Sequence, residues 1–303
     1  MEGLLDMVDN KNRNFLLGLE DSLPTQHALP IRELIGKLRE QIMPFATPYW
    51  VSTQPSESVT ANSTKLVTLR IPADMVFVWT KLVCSPSQTT LSLIVRNPAS
   101  GIQYMRAAVP YAAITGNGQR PYKLTVPSIF QPGSDIILEL SNTGGSDLTP
   151  NVTLIGHAIH ISRVPMKLRE MLVRPELMLA YHYWFVTDTF PISVTTTRTE
   201  FPMSVFRTGD FIGEQLLVNY DNDFNLSMRE TGSGREVIRN GVASAIFGNG
   251  QYNPLLPYPL FAARGEELIW TCWTTSGTAS ASIIVGGIFV PVELTSYYAR
   301  TKI

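Results

Sequence analysis

Charge is what this 303-residue sequence has least of. Asp, Glu, Lys and Arg make up 16% of it, against roughly 25% in ordinary soluble domains, and they nearly cancel to a net −1. So balanced a chain has no electrostatic footprint for nucleic acid or an anionic membrane. Its basic residues, among them Arg96, Arg106, Arg120, Arg198, Arg207, Arg229 and Arg235, are dispersed rather than gathered into a stripe. Cysteine is equally scarce. Cys84 and Cys272 each sit in an apolar run, which predicts buried free thiols rather than a disulfide framework and fits synthesis in a reducing cytoplasm. No apolar run approaches the ~20 residues that cross a bilayer. The start, Met1-Glu2-Gly3-Leu4-Leu5, lacks the basic segment and long apolar core of a secretory signal.

Reactive constellations are missing as well. The four histidines, His27, His157, His160 and His182, are scattered. His157 and His160 lie three apart on an expected strand, which points them to opposite faces and disfavours joint metal ligation. Asp221-Asn222-Asp223 with Asn225 has the look of a calcium loop, but the turn glycine and closing glutamate are absent, so a hairpin tip is expected. Gly116-Asn117-Gly118 is followed by neither a helix start nor Lys-Ser/Thr, and reads as a turn rather than a phosphate loop. There is no Gly-x-Ser-x-Gly elbow. Glu266-Glu267 has no second acidic cluster in an aromatic cleft to work with. The expectation is a protein that is not an enzyme, with no catalytic residue, no cofactor and no metal.

What the sequence does contain is repetition. Gly116-Asn117-Gly118-Gln119, then Leu124, Pro127, Gly133, Ile137 and Gly145, returns as Gly248-Asn249-Gly250-Gln251, Leu256, Pro259, Gly265, Ile269 and Gly277, always 132 residues on. Upstream, Leu91, Leu93, Val95 and Arg96 answer Phe224, Leu226, Met228 and Arg229 at 133; Tyr49-Trp50-Val51 answers Tyr183-Trp184-Phe185 at 134; Pro30-Ile31-Arg32 answers Pro165-Met166-Lys167 at 135. At the far end Leu154-Ile155-Gly156-His157 answers Val285-Gly286-Gly287-Ile288 at 131. A shift that drifts in one direction is expected of two copies of one unit separated by small loop deletions. This divides the chain into an N-terminal arm, 1–29, a first unit, 30–162, and a second, 163–303.

Each unit opens on a helical pattern. Pro30 presets a helix start, and Ile31, Leu34, Ile35, Leu38 and Ile42 form one apolar face until Pro44. Pro165 opens a second such run, kinked at Pro175, that serves as an apolar connector. Short runs rich in Val, Ile, Thr and aromatics follow, punctuated at roughly ten-residue intervals by turns such as Asn97-Pro98, Pro132-Gly133 and Asn142-Thr143-Gly144-Gly145. The predicted fold is mainly β: two tandem antiparallel β-sandwiches, jelly-roll-like, each preceded by a short helix, plus the arm.

The stretch Pro121 to Ile159, with Pro-x-x-Leu-x-x-Pro, Gly133, Ile-x-Leu-x-Leu-Ser-Asn and a closing Val-x-Leu-x-Gly-x-x-Ile, resembles β-sandwich domains of bacteriophage virion proteins. The layout of two sandwiches behind a helical arm is similar to the double-jelly-roll capsid proteins of icosahedral viruses. The resemblance implies a structural virion component, synthesised in the host cytoplasm, with other virion proteins and copies of itself as partners, and a threefold assembly giving pseudo-hexagonal tiles. A minor vertex, decoration or head-to-tail collar protein is an alternative, and a carbohydrate-binding adhesin is another. Low charge, 44% hydrophobic residues and 21 prolines agree with a surface covered by partners; a large β-protein with Ser/Thr/Asn surfaces would look similar.

Candidate assembly residues follow. Leu4, Leu5, Phe15, Leu16 and Leu17 form two apolar clusters in the arm, too small for a core of their own. Trp50 and Trp184, repeated after each helix, are expected to be buried anchors. Arg96 and Arg229 occupy matching strand ends, which suits a shared ion pair or an interface role as well as plain solvated surface.

Overall fold

A computed structural model describes residues 43–54, 56–85, 89–114, 121–166, 169, 182–187, 191–205, 209–232, 234–247 and 255–291. The arm candidates Leu4, Leu5, Phe15, Leu16 and Leu17, the opening helix and most of the connector helix lie outside these residues, as do the Gly-Asn-Gly-Gln segments.

The described residues are built from short strands. In the first half these are β1 (Ala46–Ser52), β2 (Ser63–Arg70), β3 (Met75–Ser85), β4 (Leu91–Asn97), β5 (Ile102–Gln103), β6 (Val109–Pro110), β7 (Tyr122–Phe130), β8 (Asp135–Asn142) and β9 (Asn151–His160). In the second they are β10 (His182–Val186), β11 (Ile192–Val194), β12 (Thr199–Ser204), β13 (Gly209–Tyr220), β14 (Asn225–Glu230), β15 (Glu236–Ala243), β16 (Leu255–Ala262), β17 (Glu267–Trp273) and β18 (Ala279–Pro291). Period-two alternation makes them strands. In β8, Ile136, Leu138 and Leu140 are buried, while the residues between them are half-buried.

The strands form four antiparallel sheets. The first half contributes β1-β9-β3-β7 and β2-β8-β4-β5; the second contributes β10-β18-β13-β16 and β12-β17-β14-β15. Matching β1, β2, β3, β4, β7, β8 and β9 to β10, β12, β13, β14, β16, β17 and β18, with β5 and β6 together standing for β15 and β11 an addition beside β18, converts one pair of sheets into the other, so both halves are jelly-roll sandwiches of one strand order. Gly133 and Gly265 both hold a positive φ, 68° and 77°, in the turn that leads into β8 and β17. Two core clusters fill the sandwiches. One is centred on Phe77, Trp79, Tyr104 and Phe130, the other on Trp184, Phe211 and Trp270.

Register corrects one expectation. Tyr49 lies opposite Gly156, and Trp184 lies opposite Gly287. Both glycines occupy the same structural position, because an added Cβ would come within 1.9 Å of the Val78 carbonyl oxygen in one and 2.0 Å of the Ile212 carbonyl oxygen in the other. The partner strands are irregular at matching places, between Trp79 and Lys81 and between Gly213 and Gln215. The sheets therefore equate Tyr49 with Trp184 and Trp50 with Phe185, a shift of 135 (184 − 49) rather than 134. One residue of slip reverses the face on which a side chain stands. Trp184 is 1% exposed and inside its sandwich, whereas Trp50 is 66% exposed on the outer face of β1. Trp50 is not a buried anchor; Tyr49, half-buried and edge-on against Phe77, is the residue that packs on the core there.

Candidate functional site

The most elaborate junction among the described residues is the seam between the two sandwiches. Tyr183 and Phe185 of β10, Leu217 of β13 and Ile284 of β18 stand on the outer face of their sheet, yet all four belong to the first sandwich's core cluster. Burying four such side chains contributes on the order of 6–12 kcal/mol. Alternation explains how: Trp184 and Val186 point inward to the second core, which leaves Tyr183 and Phe185 facing out, onto the neighbour.

The polar part of the seam is enclosed. The Tyr122 hydroxyl of β7 lies 2.6 Å from the Tyr183 hydroxyl and donates to Gln215 Oε1 at 2.9 Å. Tyr183 also donates to Gln215 Oε1, and the Gln215 amide donates to the Lys123 carbonyl at 3.3 Å. Burial pushes both phenols well above the ordinary tyrosine value of 10.0. The backbone adds a clip. Phe185 N–H donates to the Tyr104 carbonyl at 2.9 Å, and Arg106 N–H donates to the Phe185 carbonyl at 3.0 Å, making a parallel bridge between Met105 and Phe185. The Arg106 guanidinium reaches on to the Ser204 carbonyl. To serve β10, the first sandwich breaks one of its own strands: β5 and β6 pair with β4 at either end, with 104–106 diverted between them. In the second sandwich the corresponding β15 remains one strand that pairs with β14 at both ends, although its register is broken around Asn240 and Gly241, which both hold a positive φ.

The remaining predicted residues are spread over the molecule. Arg96 pairs with Glu139 at 2.7 Å and Arg229 with Glu200 at 3.2 Å, partners on different strands of the two sandwiches. Cys84 and Cys272 are buried free thiols; burial raises both, Cys272 to about 12. Asp221 caps the turn between β13 and β14, accepting from Ser280 N–H at 2.7 Å. His160 faces Asp74 at 3.3 Å. Among the described residues no three His, Cys, Asp or Glu side chains gather as a metal site, and no helix is long and apolar enough to cross a membrane.

A shallow cavity of about 210 Å³ opens on the outer face of β12-β17-β14-β15, lined by Arg198, Glu200, Arg229, Glu236, Asn240 and Trp273. Its aromatic floor is already covered: the Arg198 guanidinium carbon sits 4.3 Å from the Trp273 ring centroid. From another side Gly241 approaches so closely that a Cβ would meet the ring at 2.2 Å. The seam could not be read from the sequence. Its only sequence signal is the Tyr-Trp-Phe run, three consecutive aromatics that cannot all face one core.

No family model matches the chain, and no curated protein matches it in sequence. Among solved structures it is similar to the major capsid protein P2 from bacteriophage PM2, with a TM-score of 0.40 and 8% identity over 81% of this chain and 98% of that one. It is also similar to the infectious bursal disease virus VP2 subviral particle, with a TM-score of 0.22 and 11% identity over 84% and 77% of the respective chains. The CUB1-EGF-CUB2 domains of rat MASP-1 are a further neighbour, at 0.22 and 9% over 79% and 97%.

Proposed function

We propose that this chain is a non-enzymatic structural component of a virus particle, a bacteriophage capsid protein that assembles through contacts between its own copies. The observation that carries the reading is the pair of jelly rolls of one strand order, locked side by side by an apolar and tyrosine-rich seam. Two like units held rigidly make a tile rather than a hinge, since a seam this apolar does not behave as a mobile inter-domain contact. We read the two units as a tandem duplication, with boundaries at 30–162 and 163–303 behind an arm at 1–29. Low charge and exposed large side chains such as Trp50 supply surface that only a partner would cover. A ring of three copies would give a pseudo-hexagonal tile; a vertex, decoration or collar position uses the same parts. The adhesin reading is weaker, because the Arg198 guanidinium already lies over the Trp273 ring, where a sugar would have to stack.

The test is sedimentation velocity of the full chain across a concentration series, with electron microscopy of the largest species. Closed rings or shells are expected. A chain that stays monomeric at every concentration would refute assembly through self-contacts.

A further inference from the structure

The trough on the outer face of β12-β17-β14-β15 is built from residues that the matching face of the first sandwich does not carry. Thr271 lies in its floor, opposite Glu200 on one side and Ser227 on the other. Trp273 stands two residues along β17 at one end, and Arg229, opposite Ile269 and Glu236, stands at the other, so the trough runs about 13 Å along the strands. Its side wall is the break in β15, where residues 239–241 face the single residue Ser227. Asn240 at φ 61° and Gly241 at φ 84° make this a bulge, which brings Asn240 into the lining.

In the first sandwich the same positions hold other chemistry. Glu139 stands where Thr271 does, and Ile94 where Ser227 does. Thr64 and Ser141, opposite each other and hydrogen-bonded at 2.8 Å, occupy the place where Arg198 and Trp273 meet. The strand order therefore does not require an arginine on an indole there.

Arg198 lies over Trp273, 4.3 Å from the ring centroid, and has no carboxylate or other acceptor among the described residues. The indole holds the guanidinium in place, and its N–H groups, which lie in the guanidinium plane, stay open to a ligand. The Asn240 amide and the Ser227 and Thr271 hydroxyls are likewise unpartnered among the described residues. The neighbouring charges are already paired, Arg229 with Glu200 at 3.2 Å and Arg239 with Glu236 at 3.1 Å. Three arginines thus face two glutamates, and the surplus positive charge is on Arg198.

We infer that the trough binds a carboxylate-bearing sugar unit, of the uronic or sialic acid type. Its carboxylate accepts paired hydrogen bonds from the Arg198 fork, and its hydroxyls bond to Thr271, Ser227 and Asn240. At about 210 Å³ the cavity is smaller than the ~300–1,000 Å³ sites of drug-sized ligands and suits a single ring. An acidic peptide brings the same charge, but the mainly polar lining gives its side chains no apolar pocket and offers hydroxyl-binding groups it has little use for. Because the indole seats the guanidinium, the sugar is held by its acid and its hydroxyls rather than by stacking. Such a site works whether or not copies of the chain assemble, and it adds a ligand to the structural role proposed above.

Calorimetric titration of the full-length chain tests the site, using the methyl glycosides of glucuronate, galacturonate and N-acetylneuraminate, with methyl glucoside, acetate and a single-glutamate peptide as comparisons. At least one acidic sugar should bind saturably, one per chain, and the comparison ligands should bind about 10-fold or more weakly. Arg198→Gln should weaken the sugar by about 10-fold or more, the scale of a lost charge-assisted hydrogen bond. Arg70→Gln, which removes an exposed and paired arginine from the first sandwich, should leave binding unchanged. Both side chains are on the surface, and circular dichroism verifies that the variants fold. Saturable binding by none of the three acidic sugars would overturn the site, as would full affinity in Arg198→Gln. Equal binding of methyl glucoside would overturn the role of the carboxylate, and equal binding of acetate or the peptide would overturn the assignment to a sugar.

Discussion

Trp50 and Trp184 lie in the same Tyr-Trp dipeptide, yet truncating them should have very different costs. Trp184 is buried between Phe211 and Phe289, with ring centroids 5.7 and 5.1 Å away. An indole buries about 250 Å² at most, so at ~25 cal/mol per Å² the ceiling is about 6 kcal/mol. Partial collapse of the cavity brings the expected loss for Trp184→Ala to about 3–5 kcal/mol. Trp50 retains two-thirds of its exposure. Its ceiling is therefore about 2 kcal/mol, and about 1 kcal/mol remains once the compactness of the unfolded chain is allowed for. With a urea slope of about 2 kcal/mol/M, the midpoint of the monomeric protein should fall by about 1.5–2.5 M for Trp184→Ala and by about 0.5 M for Trp50→Ala. Denaturation followed by circular dichroism at low protein concentration measures both. Equal shifts would refute the register that places one ring inside and the other out.

Three further outcomes are expected. Gly156→Ala and Gly287→Ala should each cost about 1–3 kcal/mol, because the new methyl meets the Val78 or Ile212 carbonyl near 2 Å, whereas Gly145→Ala, with open space around it, should shift the urea midpoint little. Tyr122 and Tyr183 have folded-state values raised above 10.0 by burial, so their contribution is fully present below pH 10 and is lost as pH rises beyond it; urea midpoints should hold up to about pH 10 and then fall, with tyrosinate absorbance lagging that of the unfolded chain. Cys84 and Cys272, both buried with raised thiols, should resist a thiol-disulfide reagent at neutral pH until denaturant is added; prompt labelling of either would contradict their placement in the cores.

The strands were legible because alternation is a local property. Ile136, Leu138 and Leu140 announce a half-buried strand whatever surrounds them, and the glycine turns at 133 and 265 announce where it begins. The side-chain face of β1 was not legible. Aligning Trp50 with Trp184 maximises identity, but the pairing keeps the shift at 135 through this strand and changes it only afterwards, and a slip of one residue reverses every side chain along the strand. Only the pairing of Tyr49 with Gly156 and of Trp184 with Gly287 reveals the slip. The seam was hidden for a related reason. Phe185 and Ile284 read as core residues, and they are, but of the other sandwich; hydrophobicity records that a side chain is buried without recording whose core it enters.

The diverted segment 104–106 has a consequence for synthesis. Chains emerge N-terminus first and fold domain by domain, so the first sandwich, whose core is drawn almost wholly from its own strands, can form before β10 leaves the ribosome. It then stands as a prepared receptor, with the Tyr104 carbonyl and Arg106 N–H facing the position that Phe185 will fill. The second sandwich also has a core drawn from its own strands, but made alone it would expose Tyr183, Phe185, Leu217 and Ile284 to water. The order of the two halves along the chain thus means that the receiving surface is synthesised before the side chains that fill it.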